Sequence, residues 1–263
     1  MTAIDNPTID FAHRLADAAG DAIRPYFRQR IEVTDKGKVA FDPVTEADRK
    51  AEEVLRKLIA CECPQDAILG EEYGHTPGTS TRTWVLDPID GTRAFITGRH
   101  TWGTLIALED KGERVLGIID QPVLRERFIG FDGTAELHLE GTRTRLETRK
   151  CRTLSEAIVS TTHPWSYFTD DECEAFEAFA RAARMSYFGG DCYAYGLLAM
   201  GYIDVIAESS LKAWDVAALI PVVEGAGGVV TDWNGNPVPP EGGRLIAAGD
   251  PRVHAEAVKM LRR

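Results

Sequence analysis

Apolar residues recur along the first sixty positions with helical spacing. Phe11, Leu15, Ala19, Ile23 and Phe27 predict an amphipathic helix over residues 9–30, with Pro25 kinking or loosening its last turn. The polar stretch TDKGKVAFDPVTEAD reads as a loop that carries Lys36, Lys38, Asp42 and Asp48, punctuated by Gly37 and Pro43. A second helix is predicted over 46–61, with Thr45 placed to cap it, Asp48 at its third position, and Val54, Leu55, Leu58 and Ile59 as its buried stripe. From Trp84 the pattern changes to short apolar runs, WVLD, TLIALE, RVLGIID and RFIGF, which predict a mainly antiparallel sheet. Beyond about residue 150, strand-like AIVSTT, helical ECEAFEAFARAAR, strand-like MSYFGG and helical YAYGLLAMG alternate, as in an α/β layer architecture. The change at 148–153 predicts an N-terminal α+β domain, 1–150, and a C-terminal α/β domain, 151–263. The run 215–223 reads as one helix in which Pro221 costs a hydrogen bond and introduces a kink.

Composition narrows the partners. Among 263 residues, 41 acidic side chains outnumber 30 basic ones, for a formal net charge of -11. Such a surface argues against unspecific nucleic-acid binding, which needs Lys and Arg to displace counterions. It also repels a phosphate ester, so a phosphate site here would require bound cations. No segment approaches the roughly 20 apolar residues that cross a bilayer. MTAIDNPTIDF lacks the basic-then-apolar pattern of a signal peptide, and five cysteines without paired CxxC motifs read as free thiols, so a cytoplasmic location is expected.

Three acidic clusters sit where the chain changes direction: Glu71-Glu72 after Ala67-Ile68-Leu69, Asp87-Pro88-Ile89-Asp90-Gly91-Thr92 after WVL, and Asp215 after Trp214. A turn at Pro88-Ile89 can bring the Asp87 and Asp90 carboxylates and the Ile89 carbonyl around one cation. Mg²⁺ favours such an all-oxygen set. Gly91 and Thr92 would then offer backbone N–H groups to an anion, most strongly if a helix starts there. An Asp-Pro turn with helix-capping carboxylates accounts equally well for an isolated DPIDG. Singly, Asp215 reads as well as an N-cap, and Glu71 as an exposed turn residue.

In combination, GEE, WVLDPIDGTRAFITG and WDVAALIPVVEGAGG, in this order, resemble the inositol monophosphatase superfamily of Mg²⁺-dependent, Li⁺-sensitive phosphatases. The likeness runs from DPVTEAD to GGVVTDWNG. It implies an alternating αβαβα sandwich, a homodimer, and two or three Mg²⁺ ions per subunit. Carried over by position, it makes Glu71, Asp87, Asp90 and Asp215 the metal carboxylates, with the Ile89 carbonyl as a further ligand. Thr92 matches the family's water-orienting threonine and Asp48 the aspartate bonded to it; these two and Glu71 form the implied catalytic set. The implied reaction is direct in-line attack of water on a phosphate monoester, without a phosphoenzyme. The substrate side would be met by Gly91, Thr92, Asp191 and Glu208.

GGDCYAYG, TGRHTWGTLIAL and ESSLKAWD are similar to the histidinol-phosphatase branch of that superfamily. Histidinol phosphate carries an ammonium and an imidazole, which Asp191 and Glu208 would meet with anions; a polyol would accept the same carboxylates. Asp191 also reads as a turn residue after two glycines, and Tyr195 as packing. Arg93, Arg99 and His100 either reach substrate or a neighbouring subunit, or are plain surface. The other readings are an inositol-1-monophosphatase, a broad small monoesterase, or a regulatory binding protein, which would not need all four carboxylates.

Overall fold

The period-2 alternation in the apolar runs sorts their side chains between two different cores. The structure, a computed structural model, describes residues 4–30, 32–35 and 43–262; Lys36, Lys38 and Asp42 lie outside the described residues. Helix α1 (Asn6–Ile23) starts at Asp5, whose carboxylate accepts the Thr8 N–H at 3.0 Å. It does not run on to Arg30 as the spacing predicts. Pro25 lacks the N–H of the next helical bond, and the chain tightens into one 3₁₀ turn, Arg24–Tyr26. Strands β1 (Val33–Asp35) and β2 (Pro43–Thr45) pair as a short antiparallel ribbon within what reads as loop. Helix α2 (Glu46–Glu62) then opens on a capping box: Thr45 Oγ1 accepts the Ala47 N–H, and Asp48 accepts the Thr45 N–H at 2.9 Å.

The first sheet comprises β3 (Ala67–Gly70), β4 (Gly74–Thr76), β5 (Arg82–Asp90), β6 (Gly103–Asp110), β7 (Glu113–Gln121), β8 (Glu126–Phe131), β9 (Thr134–Leu139) and β10 (Thr142–Arg145), with the short helix α3 (Thr92–Ile96) after β5. Its order is β10-β9-β8-β7-β6-β5-β3-β4, antiparallel throughout except for β3 beside β5. The second half supplies β11 (Ile158–Thr161), α4 (Pro164–Tyr167), α5 (Asp170–Ala182), β12 (Met185–Phe188), α6 (Tyr193–Ala199), β13 (Val205–Lys212), α7 (Ala213–Ala217), α8 (Leu219–Gly225), β14 (Val229–Thr231), β15 (Gly242–Ala248) and α9 (Pro251–Leu261). Its five strands are ordered β12-β11-β13-β15-β14.

Alternation along these strands builds five layers. Trp84, Leu86, Ile106, Leu108, Ile118 and Ile129 face α1 and α2, whereas Val85, Leu105, Ala107, Ile119 and Phe128 face α6, α7 and α8. In the second sheet Ile206, Leu245 and Ala247 join that same central layer. Val205, Ala207, Ile246 and Ala248 pack outward on α5 and α9. Both faces of both sheets are covered, which is why the strands read as nearly continuous apolar runs. Among the described residues no helix is long and apolar enough to cross a membrane, and all five cysteines are free thiols.

The run 215–223 is two helices rather than one. Pro221 cannot donate to the Ala217 carbonyl, so α7 ends at Ala217 and α8 begins at Leu219. The break settles onto a glycine notch in the first sheet. Gly117 and Gly130 are cross-strand partners, and a Cβ on either would stand 2.1 Å from the Ala218 carbonyl oxygen or 2.2 Å from that of Pro221. Backbone thus lies directly on backbone at the centre of the molecule, and α7 is brought to the C-terminal end of β5.

Candidate active site

Where β5 meets α7, three separate segments deliver carboxylates to one place. Gly70 pairs with Leu86 in the parallel β3–β5 ladder, and the Glu71 N–H reaches the Leu86 carbonyl at 3.2 Å, which sets Glu71 beside Asp87. Strand β5 does not stop at Asp87 but continues to Asp90 through a register shift between these two residues. The irregularity has a local cause: Asp87 Oδ1 accepts the Ile89 N–H at 3.1 Å, and the Pro88 carbonyl is taken by Thr104 Oγ1 at 2.8 Å. Asp215 is the third residue of α7, and its carboxylate accepts the Lys212 N–H at 2.7 Å. It therefore reaches back to the helix start without being the N-cap itself.

Asp87, Asp90 and Asp215 bring one carboxylate oxygen each to within 4.8 Å of the others. They lie in a cavity of about 380 Å³ whose walls also include Glu71, Ile89, Gly91, Thr92, Asp191 and Glu208. Asp48 does not line this cavity. It sits behind it at the head of α2, close enough for the Glu71 charge to act on it. The Thr92 hydroxyl donates to the Ile89 carbonyl at 3.1 Å, and among the described residues no hydrogen bond joins it to Asp48, the pairing that the family resemblance implies.

Gly91 is N-cap to α3 at φ 83°, and a Cβ there would stand 2.9 Å from the Asp191 side chain, so glycine is required twice over. Asp191 itself has φ 44°, as a turn residue, and its carboxylate accepts from Thr101 Oγ1 at 2.9 Å while lining the cavity. Glu208 is anchored by the Thr162 N–H at 2.7 Å, Thr162 Oγ1 at 2.9 Å and Thr161 Oγ1 at 3.1 Å. Arg93 lines the cavity with its guanidinium 5.1 Å from the Tyr167 ring centre, whereas His100 lies outside, edge-on to Tyr193.

Crowded burial of like charges holds these acids toward their protonated forms. Burial, then the charges of Glu71, Asp90 and Asp215, pushes Asp87 well above the usual carboxylate range. Burial and the Asp191 charge raise Asp90 to about 7, and burial and the Asp90 charge raise Asp215 well up. Burial, with the Asp191 charge, outweighs the threonine bonds and brings Glu208 to about 8; burial, with the Glu71 charge, takes Asp48 to about 6. A cation among these groups would counter the shifts that their mutual repulsion causes; the clustered donors are carboxylate oxygens, and among the described residues no imidazole lines the cavity. The residues fit Mg²⁺.

Sequence reasoning missed Glu52. It is fully buried on α2 and accepts the Glu72 N–H at 2.7 Å, the Tyr73 N–H at 3.1 Å and Arg56 Nε at 2.7 Å, so it clamps the turn that carries Glu71. Gly70 admits this clamp, since a Cβ there would meet Glu52 Oε1 at 2.1 Å. The available signal was an acid on the apolar side of a helix with Arg56 four residues on.

Five layers around a cluster of hard oxygen donors suit a metal-dependent phosphatase. The chain belongs to the inositol monophosphatase family, whose profile it matches over residues 5–263. It is similar to the bifunctional phosphatase IMPL2, chloroplastic, of Arabidopsis thaliana, at 43% identity over 257 residues, spanning 94% of this chain and 72% of that protein. A histidinol-phosphatase of Chlorobaculum parvum is 34% identical over 249 residues, 93% of each chain. The solved structure of an inositol monophosphatase from Zymomonas mobilis has the same fold, with a TM-score of 0.87 at 43% identity over 98% of both chains.

Proposed function

We propose that this chain hydrolyses histidinol phosphate to histidinol and inorganic phosphate, a step of histidine biosynthesis, as a Mg²⁺-dependent, lithium-sensitive cytoplasmic homodimer. The observation that carries the substrate is the pair Asp191 and Glu208. Both line the same cavity as the acid cluster, and both are carboxyls beyond those a phosphate site needs. A ligand with an ammonium and an imidazole meets two carboxyl groups there, one steadied by Thr101 and the other by Thr161 and Thr162, and its positive charge favours their ionised forms. The name of the Chlorobaculum parvum relative supports the same choice.

Glu71, Asp87, Asp90 and Asp215, with the Ile89 carbonyl, would hold the Mg²⁺. When bound, the metal supplies a water of lowered pKa and offsets charge on the phosphoryl oxygens. The chain's own groups orient and exclude. Gly91 leaves room for Asp191, and the start of α3 presents backbone N–H groups at Gly91 and Thr92 to the phosphate. Thr92, held by its bond to the Ile89 carbonyl, keeps its hydroxyl oxygen as an acceptor for the attacking water. Asp48, behind Glu71 at the head of α2, is placed to accept a proton from that side of the site.

Phosphate release from histidinol phosphate and inositol 1-phosphate, each with Mg²⁺ and with chelator, tests the reading. Histidinol phosphate is expected to be favoured in kcat/KM by about 10²-fold or more. Comparable rates would leave a general monoesterase, and no Mg²⁺-dependent release from either would return the chain to a binding role. Glu52→Gln turns an acceptor toward donors and loosens the Glu71 turn. It is expected to lower apparent Mg²⁺ affinity by about 10–100-fold, read from a Mg²⁺ titration of phosphate release.

A further inference from the structure

Tyr195 fills the central layer with its ring and is 3% exposed, packed among the buried residues of the first sheet, α6 and α8. Packing accounts for the ring but not for the hydroxyl. That oxygen is fully buried and makes no hydrogen bond to any described residue, yet Tyr195 lines the cavity that holds Asp90, Asp215 and Glu208. An unpaired buried hydroxyl is destabilising, and Phe would fill the same space without that cost. The position of the ring is not accidental either. The N–H of Cys192 is bonded to Asp90 Oδ2 at 2.7 Å, which pins the start of α6, and with it Tyr195, to the acid cluster.

We propose that the Tyr195 hydroxyl is a specificity-determining donor that binds a neutral acceptor atom on the alcohol portion of the phosphate ester, alongside the carboxylate of Glu208. The inference deepens the proposed function and rests on it. A phenol is protonated at neutral pH, and burial keeps this one so, which leaves it a donor. Glu208 is an acceptor on the same cavity wall. Together they read a group that offers both an acceptor and a donor, as the two nitrogens of a neutral imidazole do. A minimal ester such as methyl phosphate offers no such group.

The test uses Tyr195→Phe in the Mg²⁺-loaded enzyme, with kcat and KM measured on histidinol phosphate and on methyl phosphate, and thermal melting without ligand. The loss in kcat/KM on histidinol phosphate is expected to exceed that on methyl phosphate by about tenfold, chiefly through KM, while the ligand-free Tm does not fall. Equal losses on the two esters would overturn the proposal by making the hydroxyl part of the general frame. A lowered Tm would overturn it as well, because the hydroxyl would then have a structural partner such as a buried water. If the wild-type enzyme prefers another ester, that ester replaces histidinol phosphate in the comparison. Failure of the substrate reading then shows in the wild type, and failure of this inference in the variant.

Discussion

Asp90→Asn is expected to lower Mg²⁺-dependent kcat/KM by on the order of 10³-fold, about 4 kcal/mol of transition-state stabilisation, while making the cation-free protein more stable. The two effects have one source. Asp90 sits within 4.8 Å of the Asp87 and Asp215 oxygens, so its charge attracts a cation when one is present and repels its neighbours when none is. Asparagine keeps the shape, and its Oδ1 can still accept the Cys192 N–H, so the start of α6 stays in place. In chelator the variant should melt higher than the parent, by roughly 2–4 °C for each kcal/mol of repulsion removed. Melting curves with and without Mg²⁺, beside phosphate release, read both effects. A variant that loses activity and also melts lower in chelator would show Asp90 to be a packing residue first.

Between pH 6.5 and 8 the cation-free protein is expected to lose stability steadily, and Mg²⁺ is expected to restore more of it at pH 8 than at pH 6.5. The folded state holds Asp90 at about 7 and Glu208 at about 8, both far above their unfolded values. The folded protein therefore binds more protons than the unfolded chain in this window, and the stability slope with pH is negative. Below pH 6.5 the sign is mixed. His13, held to about 4 chiefly by burial, is neutral when folded and charged when unfolded, so it costs stability as pH falls toward 4. The window above 6.5 isolates the acid cluster. Protons and Mg²⁺ compete for the same oxygens, so the cation's effect grows as the protons leave. A flat Tm profile from pH 6.5 to 8 in chelator would refute the expected coupling.

Much of this was legible in the chain because the signals are local. The Thr45–Asp48 cap follows from residue types three apart, and the apolar runs from covered sheet faces. The DPIDG turn was legible as chemistry but less so as backbone. Its strand persists to Asp90 because Thr104 ties the Pro88 carbonyl to the neighbouring strand, a partner that sequence spacing does not reveal. The same limit hid Glu52, whose role depends on a turn twenty residues away, and the seating of the Pro221 break on Gly117 and Gly130, which lie in other strands. Tyr195 read as packing, and its ring is that; only the surroundings of its oxygen distinguish it from phenylalanine.

The bond from Cys192 N–H to Asp90 spans 102 residues, and the acid cluster draws Asp215 from still further along the chain. Closing such loops is entropically costly, and the central helices must already lie between the two sheets before these carboxylates face one another. The acid cluster is thus expected to form late in folding and to come apart early in unfolding. A metal held there would then be expected to add little to the speed of folding and to raise the barrier to unfolding, governing how long a folded molecule survives rather than how quickly it is made.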